Sequence, residues 1–218
     1  MSTVIFDFDS TLITLESLEE ILRSKWLENP KLETEIRAIT DLGMEGKITF
    51  QESLSRRLQL AAPTLAEVSA FGESAFQFLT PGMEQLIQNL QNRNVGVHIV
   101  SGGLYEAILP VALRLGIPAN HVHAVKLSWS PQGQFAGIDP ADLFSISKMK
   151  GARPWMPFLS QPRIAVGDGM TDYYLFRDGL VNAFIAFTEN ARRQAVVETR
   201  QKEARNTSEL ADILEDLL

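Results

Sequence analysis

Two aspartates spaced by one residue, Asp7 and Asp9, follow the apolar run VIF, with Thr11 two positions further on. Three other polar groupings stand at what read as strand exits or helix starts: Ser101-Gly102-Gly103, Lys148 with Lys150, and GDGMTD over 167–172, which carries Asp168 and Asp172. Each alone has a plain structural reading. Acids after a strand cap the next helix, SGG and GDG make turns, and two lysines are solvated charge. Together they describe a different chemistry. Carboxylates converging on one crevice repel each other, and a hard divalent cation such as Mg²⁺ resolves that repulsion through oxygen ligands. A serine hydroxyl, backbone N–H groups beside glycines and a lysine suit a tetrahedral dianion. The combination points to phosphoryl transfer.

The elements that must position these residues alternate strand and helix. Residues 3–8 read as a short strand, VGVHIV at 95–100 and RIAVG at 163–167 as fully buried strands, and AFIAF at 183–187 as another. Helices are predicted over 82–92, 104–115 and from Asp172, with a proline-interrupted one near 146–159 and C-terminal ones near 189–204 and 208–217. HVHAVKLSW and GQFAG flank a Ser-Pro-Gln-Gly turn and predict a hairpin. The stretch from 15 to 80 is helical throughout, in four segments. This pattern predicts an α/β fold, a doubly wound, Rossmann-like parallel sheet, with an inserted helical-bundle cap at 15–80. Residues 1–14 and 81–218 would form the core, and the insert would hang over the C-terminal edge of the sheet, where open α/β folds place their sites.

Bulk composition narrows the class. The chain of 218 residues carries 20 basic and 27 acidic side chains, a net charge of −7, which disfavours nucleic acid or an acidic membrane as partner. It holds no cysteine, which removes disulfides and thiolate chemistry. A cytoplasmic protein is expected, because the N-terminus does not read as a signal peptide and no apolar run is long enough to span a bilayer. The three histidines, 98, 121 and 123, make no metal site by sequence and are expected in structural or surface roles, and the three tryptophans, 26, 129 and 155, are expected to pack.

The set DFDST, SGG, Lys and GDGMTD, in this order, resembles the haloacid dehalogenase superfamily of aspartate-nucleophile phosphatases over residues 7–172. The resemblance implies that Asp7 is the nucleophile that becomes an aspartyl phosphate and Asp9 the general acid and base. It implies Mg²⁺ held by the Asp7 carboxylate, the Asp9 carbonyl and Asp168, with Asp172 close by, and phosphate held by Ser101, Gly102 and a lysine. Lys148 is the preferred lysine and Lys150 its rival. The segment MEGKITFQESLSRR at 44–57, with Glu16, is similar to the cap of phosphoserine phosphatases. That likeness implies Glu16 facing a substrate ammonium, Arg57 holding its carboxylate, and Met44 and Phe50 closing over the molecule. The expected reaction is hydrolysis of O-phospho-L-serine to serine and phosphate. The alternatives are another small phosphomonoester, such as phosphohomoserine or an amino-alcohol phosphate, and a non-catalytic phosphate-binding regulatory module. Pro154 and Pro157 depart from the family pattern by cutting into the helix expected after the lysine.

Overall fold

The first strand, β1 (Thr3–Phe6), is buried along its whole length, with Val4 and Phe6 on one face and Ile5 on the other. A strand with two apolar faces needs cover on both sides, and the fold supplies it. The computed structural model describes residues 2–44 and 47–218. After β1 the chain makes a kinked turn over 8–12 and enters four helices, α1 (Ser17–Glu28), α2 (Pro30–Met44), α3 (Phe50–Ala61) and α4 (Leu65–Ser74). Thr49 caps α3 through the Glu52 N–H, and Thr64 with Glu67 forms a capping box on α4.

The chain then returns through α5 (Met83–Asn92), β2 (Gly96–Leu104), α6 (Tyr105–Arg114), β3 (Val122–Val125), β4 (Leu127–Trp129) and β5 (Phe135–Ile138). It continues through α7 (Lys148–Ala152), β6 (Arg163–Gly167), α8 (Met170–Arg177), β7 (Ala183–Phe187), α9 (Gln194–Val197), β8 (Lys202–Ala204) and α10 (Thr207–Leu217). Six strands form one parallel sheet in the order β3-β2-β1-β6-β7-β8. Chain order therefore reverses at β1, with β2 and β3 laid to one side and β6, β7 and β8 to the other.

Side-chain alternation divides the core. Val4, Phe6, Val97, Ile99, Ile164, Val166, Ile185 and Phe187 face the layer that holds Met83, Ile87, Leu210 and Leu214 of α5 and α10. Ile5, Val100, Ala165, Phe184 and Ala186 face Ala152, Met156 and Leu175 on the α7–α8 side. The doubly wound parallel sheet is as predicted. The helical block joins it chiefly where α4 crosses α6. A Cβ on Gly72 would stand 2.9 Å from the Glu106 carbonyl oxygen and 3.0 Å from that of Ala107, so only glycine permits this approach.

The two linkers of the helical block run side by side. Ile13 and Leu79 form an antiparallel bridge, Thr14 N–H donates to the Phe78 carbonyl (2.9 Å) and Thr80 N–H to that of Leu12 (2.9 Å). The Thr80 hydroxyl donates to the Thr11 carbonyl (2.8 Å), and Asn190 Nδ2 donates to Thr80 Oγ1 (2.7 Å).

Three local expectations are corrected. Residues 122–125 join the parallel sheet as β3, and only 127–129 pair with 135–138 as the hairpin. The segment 189–204 holds the single turn α9 and then the edge strand β8, because Arg200 at φ 55° breaks any helix there. Pro154 and Pro157 lie beyond the end of α7 at Ala152, so they terminate that helix and leave no kink within it. Among the described residues no helix is long and apolar enough to cross a membrane.

Candidate active site

A doubly wound sheet opens a crevice at the C-terminal ends of the strands where chain order reverses, which here lies between β1 and β6. Asp7 is the first residue past β1 and Asp168 the first past β6. Their strands are in direct register, Phe6 opposite Val166, and Asp7 N–H continues the ladder to the Val166 carbonyl (2.9 Å). Asp172 comes from the first turn of α8, and its carboxylate accepts the Gly169 N–H (3.2 Å). It lies so close over Gly167 that any Cβ there would collide with it. Oxygens of Asp7, Asp168 and Asp172 all lie within 4.8 Å of one another, and all three residues are buried.

Two cations answer these three acids. Lys148 Nζ lies 2.7 Å from Asp7 Oδ1 and 2.6 Å from Asp172 Oδ1, with the lysine itself buried. It stands at the first position of α7 because Ser147 caps that helix, accepting the Lys150 N–H (3.1 Å). Lys150 is exposed and points out of the cluster. Arg193, in the loop after β7, donates from Nε to Asp168 Oδ2 (2.7 Å) and from Nη2 to Glu16 Oε1 (3.1 Å). Asp7 Oδ1 takes the Phe8 N–H (2.6 Å) as well as Lys148, while among the described residues no donor reaches Oδ2.

The balance stays negative, and the titration of the acids reflects it. Burial, then the charge of Asp7, pushes Asp168 up to about 6 against the pull of Arg193. The same two causes push Asp172 up to about 8 against the pull of Lys148. Burial and the charges of Glu16 and Asp7 raise Asp9 well above the usual carboxylate range, although the Ser17 N–H, 2.9 Å from Oδ1, opposes the shift. Three crowded hard oxygen donors short of positive charge fit a divalent cation.

The other predicted residues lie around this centre. Ser101 is fully buried within β2, which runs on through the two glycines to Leu104, and its hydroxyl accepts the Gly103 N–H (2.9 Å). A Cβ on Gly103 would sit 3.2 Å from Asp9 Oδ2 and 3.3 Å from Ser101 Oγ, so the SGG backbone passes directly beside Asp9. Gly102 lies under the Phe50 ring, whose Cζ is 2.9 Å from where a Cβ would stand. Glu16 accepts the Ser10 hydroxyl on Oε1 (2.8 Å). Burial lowers the Arg57 pKa, and the carboxylates of Glu19, Glu16 and Asp9 oppose that shift, while its Nε donates to the Ser53 carbonyl (3.4 Å). Met44 ends α2, and its side chain lies outside the described residues.

Sequence reasoning missed Arg193, Asn190 and Ser10. Arg193 was absorbed into a predicted C-terminal helix. No signal along the chain marks it, because its place follows from the sheet order that sets β7 beside β6. The histidines pack as expected: His121 stacks on His98 at 3.9 Å and His123 on Trp155 at 3.6 Å, behind the segment that carries Lys148. Burial holds His98 down to about 3 and His123 to about 4.

A doubly wound sheet with acids at the ends of β1 and β6, matched over residues 4–177 by the profile of the haloacid dehalogenase-like hydrolases, places the chain in that family, to which it belongs. Within it, the chain is 34% identical over 196 residues to the phosphoserine phosphatase of Homo sapiens, covering 88% of this chain and 84% of that one. It is 30% identical over 201 residues to the chloroplastic phosphoserine phosphatase of Arabidopsis thaliana, 90% of this chain but only 66% of that longer relative. A phosphoserine phosphohydrolase-like protein from Francisella tularensis subsp. tularensis SCHU S4 superimposes with a TM-score of 0.91 at 39% identity, covering 98% and 99% of the two chains. The chain is a phosphoric monoester hydrolase of this phosphoserine phosphatase-like kind.

Proposed function

We propose that the chain is a cytoplasmic, Mg²⁺-dependent phosphoserine phosphatase that works through an aspartyl phosphate on Asp7. The observation that carries this reading is the buried Asp7–Lys148–Asp172 bridge beside Asp168, at the one sheet edge where Ser101, Gly102 and Asp9 also converge. Asp7, Asp168 and Asp172, with the Asp9 carbonyl, would hold Mg²⁺, whose charge offsets repulsion between carboxylate and phosphoryl oxygens. Ser101, the Gly102 backbone and Lys148 would hold the phosphoryl group.

An Asp7 oxygen attacks phosphorus in line, and the P–O bond to serine breaks. Asp9, whose pKa burial and the charges of Glu16 and Asp7 raise, gives its proton to the departing alkoxide. Asp9 then takes a proton from water, which attacks phosphorus, releases phosphate and restores the Asp7 carboxylate.

Residues 15–80 act as a cap over the core at 1–14 and 81–218, and the paired linkers at 12–14 and 78–80 support that division. Phe50, with Met44, would shut the pocket against water. Glu16 would take the substrate ammonium and Arg57 its carboxylate. Phosphate release from phosphoserine, phosphothreonine, phosphohomoserine, phosphoethanolamine and pyridoxal phosphate with Mg²⁺ tests this directly. Arg57→Ala is expected to raise KM for phosphoserine about 30- to 100-fold, the cost of truncating one partner of a desolvated ion pair. It should leave phosphoethanolamine, which has no carboxylate, nearly unchanged. Equal effects on both esters would remove Arg57 from substrate recognition.

Cation binding is expected to release protons. Asp168 titrates at about 6 and Asp172 at about 8 without the cation, and both must be ionised to ligate it. Mg²⁺ affinity should therefore climb as pH rises from 6 to 8. Calorimetry in buffers of different ionisation enthalpy reads the proton count, and an affinity flat across this range would rule the coupling out.

A further inference from the structure

We infer that Arg193 is a positioning residue that sets two carboxylates with one guanidinium: Glu16 for the substrate amine and Asp168 for the metal. The inference rests on the reading of Glu16 and Asp168 proposed above. Nε–H and one Nη2–H of arginine project from the same edge of a rigid plane, and here they reach Asp168 Oδ2 (2.7 Å) and Glu16 Oε1 (3.1 Å). The Ser10 hydroxyl also donates to Glu16 Oε1 (2.8 Å), so both donors hold the same oxygen. Among the described residues none donates to Oε2, and that oxygen is left for a ligand cation. Glu16 is otherwise a half-exposed side chain at the start of α1, and among the described residues no other donor fixes the rotamer of its carboxylate.

The loop that presents Arg193 is itself anchored. Three residues earlier, Asn190 Nδ2 donates to Thr80 Oγ1 (2.7 Å) and lies 3.4 Å from the carbonyls of Ser10 and Ile13. The guanidinium thus reaches across from the end of β7, on a loop fastened to both linkers of the helical block. Lysine offers one point charge with no fixed fork and cannot reproduce both bonds at once.

The test uses Arg193→Gln and Arg193→Lys in the full chain, with thermal melts as the control for folding. Mg²⁺ affinity, read by calorimetry without substrate, is expected to fall about tenfold in Arg193→Gln, the scale for loss of a group that orients a metal carboxylate. KM for phosphoserine at saturating Mg²⁺ is expected to rise about tenfold with kcat changed less. KM for the phosphate ester of hydroxypropionate, which lacks the amine, should move little. Arg193→Lys should recover one of the two effects and not both. Tighter Mg²⁺ binding in Arg193→Gln would overturn the inference, because Arg193 would then be a counter-ion competing for Asp168. An unchanged ratio of the two KM values would overturn its role at Glu16. A wild-type enzyme indifferent to the amine would instead sink the substrate reading of Glu16, while the calorimetry continues to test Arg193 against Asp168.

Discussion

Asp7→Asn is expected to lower phosphate release from phosphoserine by at least about 10⁴-fold, the scale of losing a covalent nucleophile. An amide can still accept the Phe8 N–H on its oxygen, so the turn after β1 should persist. The fold should not suffer. The Asp7 charge is the next cause, after burial, of the upward shifts of Asp168 and Asp172, and removing it relieves that crowding. The metal-free variant should melt at or above the wild-type temperature, and it should gain less from added Mg²⁺ because one ligand charge is gone. Retention of more than a few per cent of activity in a folded variant would show that Asp7 is not the nucleophile.

Lys148→Met should be damaging in a different way, through both stability and rate. The ammonium is buried between two carboxylates, and its loss leaves Asp7, Asp168 and Asp172 crowded with only Arg193 at the edge. Breaking a buried pair by removing one partner costs about 3–5 kcal/mol.

The sign of the pH dependence follows from the acids. Asp172 already titrates at about 8 in the fold, far above the unfolded value, and Lys148 was one of the groups holding it down. A carboxyl raised in this way adds stability at low pH and loses it as pH rises through its folded pKa. Lys148 also holds down Asp168, which titrates at about 6, so the melting deficit of Lys148→Met should be smallest near pH 5, widen above about pH 6 through Asp168 and again above about pH 8 through Asp172, and shrink when Mg²⁺ is supplied. Activity should fall about 10²- to 10³-fold from loss of a charged donor to the phosphoryl oxygens. A deficit constant from pH 5 to 8 would mean that the acids do not sense this lysine. The same substitution at Lys150, which is exposed, should do little to either property.

Much of this site was legible because it is built from strand exits. Apolar runs marked β1 and β6, and acids directly after a buried strand had to lie at its mouth, where burial is partial and a counter-charge can reach them. Lys148 was preferred to Lys150 in the sequence because it stands at the apparent helix start, with Lys150 left as its rival. Both sit in one turn of helix, and which of them points inward depends on the Ser147 cap. The stretch HVHAVKLSW reads as one strand because nothing local reveals that β3 stops at Val125 and that a separate hairpin starts at Leu127. The edge strand β8 was hidden by its length of three residues and by the helical spacing of Gln194 to Val197 before it. Arg193 was hidden more deeply. Its value comes from the sheet order, which sets β7 beside β6, and no spacing along the chain encodes that neighbour.

The bridge between Ile13 and Leu79 has a consequence for assembly of the chain. Strand β1 must wait for β2, whose first residue, Gly96, pairs with Thr3 across most of a hundred residues. Closing so long a loop is slow when nothing intermediate shortens it. With the ends of the helical block pinned together, the separation felt by the sheet shrinks to the linkers and α5. The block then behaves kinetically as a side chain of its own hinge. Lengthening its outer loops should leave the folding rate of the sheet nearly untouched, whereas loosening the bridge should slow it.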